Sequence, residues 1–229
     1  MDILGLIPAR GGSKGIRHKN IVDLNGAPLI SYTINAAKKS KFINKIFVST
    51  DDTKISSIVK KYGIQVSSLR PSSISKDTST TFDVVKYTLN FLKEEENFIP
   101  DIIVCLQPTS PLRTTSMIDE SINLLINSKA SCVLGVKKVK NHPYAMFWKT
   151  QKFLKPFKED FTNYIRRQDS PELYYPTGSI YTFWRKTIEK TNSYYGKKIL
   201  PYILPEKSSI DIDTKFDLQL AELILKKQI

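Results

Sequence analysis

Two short segments near opposite ends of this chain carry residue types that can do chemistry together. The first is Pro8-Ala9-Arg10-Gly11-Gly12-Ser13-Lys14-Gly15, followed by Ile16-Arg17-His18-Lys19-Asn20. Its three glycines within five residues allow positive φ and close backbone approach, so consecutive N–H groups can point at phosphate oxygens. Arg10, Lys14, Arg17 and Lys19 add positive charge. The loop is not a Walker A motif, because the Gly-Lys-Ser/Thr ending is missing, and its adjacent glycines do not match G-x-G-x-x-G. The second segment is Asp211-Ile212-Asp213. Alternation along an extended chain puts residues two apart on one face, so both carboxylates can converge on one hard cation with Ile212 turned toward the core. Magnesium suits such a pair, since it takes one or two carboxylates and completes its shell with phosphates and waters. Asp213, standing before Thr214 and a helical run, can also be read as a helix N-cap. Asp51 and Asp52 end a strand as well, and Asp52 reads as the cap of the helix that follows.

The elements that must position these segments alternate along the first half. Strands are expected at Ile3–Ile7, Lys45–Ser49, Ile64–Ser67 and Asp101–Leu106, with helices at Leu29–Lys39, Thr53–Tyr62 and Phe82–Leu92 between them. That alternation predicts βαβ units and a mainly parallel sheet, with ligands in the crevice outside the carboxyl ends of the strands. Helix Thr115–Ile126 and strand Ser131–Val136 continue the pattern. From 137 to 175 the chain turns aromatic and Pro-interrupted, as expected of an extension whose apolar surface meets a second subunit. Regular structure then returns with strand Gly178–Trp184, an extended Leu200–Leu204 and a helix from about Lys215 to Lys226.

A chain of 229 residues, 41% hydrophobic and 25% charged, supports one sizeable core. The expected organisation is a single domain over 1–229 with 137–175 as its extension. No stretch approaches the roughly 20 apolar residues of a membrane span, and Met1–Ala9 runs directly into the loop rather than through a basic leader. A cytoplasmic protein without membrane association is expected. Cys105 and Cys132 sit in apolar runs and read as core residues. The formal charge of +13 is spread over scattered lysine pairs, and no helix-turn-helix, zinc or RNP signature accompanies it. An anionic small molecule accounts for the sign without a nucleic acid.

The run IPARGGSKGIRHKNI resembles the signature of the CMP-sialic acid synthetase (acylneuraminate cytidylyltransferase) family, which includes legionaminic and pseudaminic acid cytidylyltransferases. STDD at 49–52, DTSTT at 77–81, LQPTSPLR at 106–113, RRQDSPELYYPTGSIY at 166–181 and SIDIDTKFDLQLAE at 209–222 match in order. The resemblance implies a three-layer α/β/α fold of the nucleotide-diphospho-sugar transferase (glycosyltransferase-A-like) type and a homodimer. It also implies transfer of CMP from CTP to the anomeric hydroxyl of a nine-carbon α-keto acid sugar, with Mg2+ as cofactor and pyrophosphate released. Carried over residue by residue, it assigns Ala9, Arg10, Gly11, Gly12, Ser13, Lys14, Lys19, Ser79 and Thr81 to the nucleotide. Gln107, Arg167 and Tyr181 go to the sugar, and Asp211 and Asp213 to the metal. Arg10, Lys19 and Asp211 carry the chemistry on this reading. Thr81 is also a candidate N-cap, Arg113 a candidate surface ion pair and Tyr181 a candidate core residue. Neither His18 nor His142 is placed to act as a base. Tyr174, Tyr175, Tyr144 and Ala145 stand where relatives can carry cations, which points to a sugar whose substituents favour a more apolar pocket, legionaminic and pseudaminic acids among the candidates.

Overall fold

A computed structural model describes residues 1–13, 15–159 and 170–227. In chain order the elements are β1 (Ile3–Pro8), β2 (Asp23–Leu24), β3 (Ala27–Pro28), α1 (Leu29–Lys38), β4 (Lys45–Ser49), α2 (Thr53–Lys61), α3 (Thr81–Glu96), β5 (Ile102–Cys105) and α4 (Thr115–Ile126). They continue with β6 (Cys132–Lys138), β7 (Phe147–Lys149), β8 (Leu154–Pro156), β9 (Tyr174–Trp184), α5 (Arg185–Thr191), β10 (Ile199–Ile203) and α6 (Lys215–Leu225).

The period-two alternation of side chains along a strand builds the layers. On β1, Ile3 and Ile7 join a core with Ile30 and Ile34 of α1, Val59 of α2 and Ile122 of α4. Leu4 and Leu6, pointing the other way, join Val85 and Leu92 of α3 and Ile188 of α5. Strand β5 divides in the same manner, Ile102 and Val104 on one side and Ile103 and Cys105 on the other. Because both faces are apolar, helices cover both. The six-stranded sheet has the order β10-β6-β9-β5-β1-β4. β1 pairs parallel with β4 and β5, β10 parallel with β6, and β9 runs antiparallel to both of its neighbours. The expected three-layer, mainly parallel architecture is present. Both cysteines are buried and free, and burial pushes each thiol up to about 12.

The strand expected at 64–67 is absent. Ile64 N–H donates back to the Val59 carbonyl at 3.4 Å, closing α2, while Ile64 and Val66 lean on the core as partly buried side chains. Their alternation reflects packing without a ladder, and β4 stays at the sheet edge. β9 is longer than expected. Past a register shift between Leu134 and Val136, its first residues pair with Val136, Lys137 and Lys138, which carries the sheet out toward the β7–β8 hairpin. Among the described residues no helix is long and apolar enough to cross a membrane.

A third, smaller core decides where the site forms. Ile16, which follows the glycine loop, packs with Leu24, Leu29, Ala221 of α6 and Ile212. Ile212 is fully buried, as its place between two aspartates suggested, and its burial brings the two chemistry-bearing segments together.

Candidate active site

The main cleft, about 260 Å³, opens where β1 and β5 end and where the chain enters α3. Since β1 and β5 are parallel, their carboxyl ends share one side of the sheet, the position expected for a ligand crevice. Arg10, Gly12, Ser13, Lys19, Ser79, Thr81 and Gln107 line it. Ala9 is fully buried beneath the loop and its N–H donates to the Ser49 carbonyl at 2.9 Å, so it anchors the loop rather than lining the cleft. Arg17 points to solvent. Lys14 and Arg167 lie outside the described residues.

Gly11 and Gly15 earn their place by close approach, whereas a Cβ on Gly12 would meet open space. Neither Gly11 nor Gly12 has positive φ, which corrects the conformational half of the expectation for those two. A Cβ on Gly11 would sit 2.4 Å from Asp52 Oδ2, and one on Gly15 would sit 2.3 Å from the carbonyl oxygen of Asp213. Gly15 therefore lets the acidic segment press against the loop. The Gly11 N–H donates to Asp51 Oδ1 at 2.9 Å, so in this state it is held by the protein and not aimed at a ligand. Asp52 caps α2, its Oδ1 accepting from the N–H groups of Lys54 and Ile55.

Both loop cations of the cleft are paired with carboxylates from remote segments. Arg10 Nη1 lies 2.6 Å from Asp77 Oδ1, and Lys19 Nζ lies 2.8 Å from Asp213 Oδ1. The Lys19 side chain is largely buried while Asp213 is exposed. Asp213 is not the N-cap of α6; Thr214 is, in a capping box with Asp217. The Asp213 side chain is thus free of helix duty and faces the loop. Asp211 is half-buried, and its Oδ1 is buried without a hydrogen-bond partner among the described residues. Burial holds its carboxyl above the usual value; the Asp213 charge adds to this, while the Thr109 hydroxyl and the Lys19 charge oppose it. A carboxylate desolvated beside a like charge, with one oxygen unsatisfied, fits a hard cation. Among the described residues no group of three or more His, Cys, Asp and Glu gathers, so the rest of a coordination shell there would come from phosphate oxygens and water.

Thr81 is the first residue of α3, and the cap is Thr80, boxed with Asp83. Ser79, Thr80 and Thr81 line the cleft, so the helix N-terminus, the positive end of its dipole, faces the site. Gln107 follows β5, and Gly178, at φ +72°, exists to make room for it: a Cβ there would meet Gln107 Oε1 at 2.8 Å and lie 3.6 Å from Asp211 Oδ2. Gln107 and Asp211 therefore flank one glycine. Tyr181 does not line the main cleft. It is buried, pairs with Cys105 and meets Tyr194 edge-on at 5.6 Å, so core packing describes it. Arg113 is no surface ion pair, being 3% exposed.

Two cleft residues escaped the sequence reading. Arg70, 5% exposed, lines the cleft, donates from Nε to Ser75 Oγ at 3.1 Å and faces Asp51 at 3.6 Å; burial lowers its guanidinium, with Asp51 opposing. A lone arginine inside the Ser- and Pro-rich stretch 67–75 was the available signal. Asn20 is buried and fastens the loop by donating to the Arg10 carbonyl at 2.8 Å. His18 and His142 line no part of this cleft.

A family model described as cytidylyltransferase matches residues 4–210. The N-acylneuraminate cytidylyltransferase of Escherichia coli O18:K1:H7 is 34% identical over 229 residues, covering 99% of this chain and 52% of that protein. The CMP-N,N'-diacetyllegionaminic acid synthase of Campylobacter jejuni is 30% identical, covering 98% of this chain and 95% of that one. The chain thus spans about half the length of the first relative and nearly all of the second. A solved structure of CMP:2-keto-3-deoxy-manno-octonic acid synthetase with CTP shares the fold, at TM-score 0.72 and 14% identity over the full length of both chains.

Proposed function

The chain belongs to the cytidylyltransferase family, and on that premise we propose that it transfers CMP from CTP to the anomeric hydroxyl of a nine-carbon α-keto acid sugar, releasing pyrophosphate. One observation carries the reading. Arg10, Lys19, Ser79, Thr81 and Gln107, drawn from three separate stretches of chain, line a single cleft, and Lys19 links it to Asp213. The hydroxyl at C2 attacks the α-phosphorus in line; the new O–P bond forms as the bond to the β-phosphate oxygen breaks, and the hydroxyl proton passes to solvent. Arg10 and Lys19 exchange their carboxylate partners for phosphate oxygens and stabilise the charge that moves onto the leaving group. The N-terminus of α3, with Ser79 and Thr81, holds the base end. Gln107, whose amide both donates and accepts, reads sugar hydroxyls. Asp211 and Asp213 would hold magnesium, which when bound neutralises charge on the reacting phosphates.

The relatives' names support N-acylneuraminic, legionaminic or pseudaminic acid as the sugar, and Tyr174 and Tyr175, exposed at the start of β9, stand where the resemblance allows cations, in keeping with a less polar sugar. We propose also that the β7–β8 hairpin pairs two copies of the chain and that the protein works in the cytoplasm.

The test is pyrophosphate release with CTP and magnesium, run in parallel with N-acetylneuraminic, legionaminic, pseudaminic and Kdo acids and a no-sugar control. Release with one nine-carbon acid is the expected result. Release with Kdo alone would reassign the substrate, and silence across the panel with intact CTP binding would leave only a nucleotide-binding protein.

A further inference from the structure

Arg113 is a buried charge with no counter-charge. Its Nη1 donates to the carbonyl oxygens of Ser179 at 2.6 Å and Gln107 at 3.2 Å, and its Nη2 to Thr33 Oγ1 at 2.6 Å. Its Nε is buried without a partner, and among the described residues no carboxylate forms an ion pair with it. Burial pushes the guanidinium down to about 9, so it remains charged at neutral pH. A charge desolvated against neutral acceptors alone is poor stabilisation, and an apolar side chain of similar size commonly serves a core as well. What the guanidinium does uniquely is present donors in a rigid plane to acceptors from three elements.

Two of those acceptors sit beside the reaction site. Gln107 is the residue after Leu106 that lines the cleft, and Ser179 follows Gly178, where a Cβ would collide with Gln107 and come within reach of Asp211. The loop that Arg113 closes, its own N–H bonded to the Ser110 carbonyl at 3.4 Å, also carries Thr109. The Thr109 carbonyl accepts from the Ile212 N–H at 2.8 Å. One continuous path therefore runs from Arg113 through the 107–110 loop to the backbone between Asp211 and Asp213.

We propose that Arg113 is a positioning residue: it brackets the carboxyl end of β5 against β9 and thereby sets the separation of Gln107 from the Asp211–Asp213 pair. The proposal rests on the cytidylyltransferase reading only for its kinetic consequence. It predicts damage confined to one half of the site. Arg10, Ser79 and Thr81 receive no contact from Arg113, so CTP binding is spared, while the sugar and the transfer step are not.

The experiment compares Arg113→Met, Arg113→Lys and Thr33→Val with the wild type, well below every melting temperature. Arg113→Met should keep the CTP Kd within about twofold and raise the sugar KM or lower kcat about tenfold or more, the penalty of a small misplacement. Arg113→Lys, with one ammonium for the fork, should recover part of that loss. Thr33→Val removes only the acceptor on α1, away from the cleft; it should lower the melting temperature with sugar KM and kcat unchanged. Hydrogen exchange without any ligand should quicken at 107–110, 177–179 and 210–213 in Arg113→Met while β1 and β4 keep their protection. Wild-type kinetics in Arg113→Met, an equal kinetic loss in Thr33→Val, or unaltered exchange at 107–110 and 210–213 would each overturn the bracket. If the wild type turns over no sugar, the proposed function fails and the exchange measurement alone still decides the role of Arg113.

Discussion

The cleft and the β7–β8 hairpin solve opposite problems. In the cleft the groups that would meet a ligand are already satisfied from within: Arg10 holds Asp77, Lys19 holds Asp213, and the Gly11 N–H holds Asp51. In the hairpin the polar pairing is ordinary surface pairing, and apolar side chains are left in water, with Trp148 58% and Phe153 77% exposed. Charge unpaired at a protein surface is readily solvated, whereas exposed aromatic area is a standing cost that contact with another surface removes. The difference teaches what each region waits for. On the proposed reading the cleft trades partners with a charged ligand, and the hairpin gains a second surface.

The largest effect should come from Asp211, whose Oδ1 is buried without a hydrogen-bond partner among the described residues. Asp211→Ala is expected to cut turnover about 10³-fold or more, the scale of losing a principal electrostatic element. It should melt no lower than the wild type at neutral pH, because it removes a carboxylate whose ionised form burial already disfavours; an active variant would sink the metal assignment. On the other side of the comparison, if the hairpin pairs two copies as proposed, Trp148→Glu with Phe153→Glu should shift the protein to monomer in sedimentation velocity without loss of helix content. A wild type that sediments as a monomer would end the subunit-contact reading.

Smaller effects sharpen the cleft's half of the contrast. Gly15→Ala must move the loop off the Asp213 carbonyl, and CTP affinity by calorimetry should fall about 10–100-fold, as for other small displacements. Asp77→Asn releases Arg10 from its carboxylate, so CTP should bind tighter by no more than about fivefold, the scale of a partly exposed ion pair. Weaker binding would mean that Asp77 aids the nucleotide instead of holding its place. Smallest of all, Thr80→Ala removes half of the α3 capping box and should cost about 1 kcal/mol in denaturant unfolding, with CTP affinity changed only slightly.

Much of this molecule was legible in the chain because its signals are local. Short apolar runs marked β1, β4 and β5, since a sheet covered on both faces needs apolar residues at every strand position, and helical periodicity marked α1 and α4. The glycine loop and the Asp-Ile-Asp pair were recognisable from residue type alone, and burial of Ile212 followed from its place between two charges. What failed was equally physical. The alternation at Ile64–Ser67 does not distinguish a ladder from side chains packed without one. Positive φ was inferred for Gly11, whose actual constraint is the neighbouring Asp52 carboxylate.

The residues that only the tertiary structure could place are those whose partners lie far along the chain. Arg70 is silent in sequence because its loop has no periodicity, and it becomes a cleft residue only when that loop is held at the end of β4, the Arg70 N–H donating to the Thr50 carbonyl at 2.7 Å. Arg113 looks like a surface cation in a Pro-bracketed motif; its role depends on acceptors at Thr33 and Ser179. Lys19 and Asp213 are 194 residues apart, and their meeting rests on a small core that joins Ile16 to Ile212. By itself the sequence determined which chemistry the chain carries, because residue type and local spacing are enough for that. The tertiary structure decided which groups confront one another, because burial and long-range pairing are properties of the packed chain.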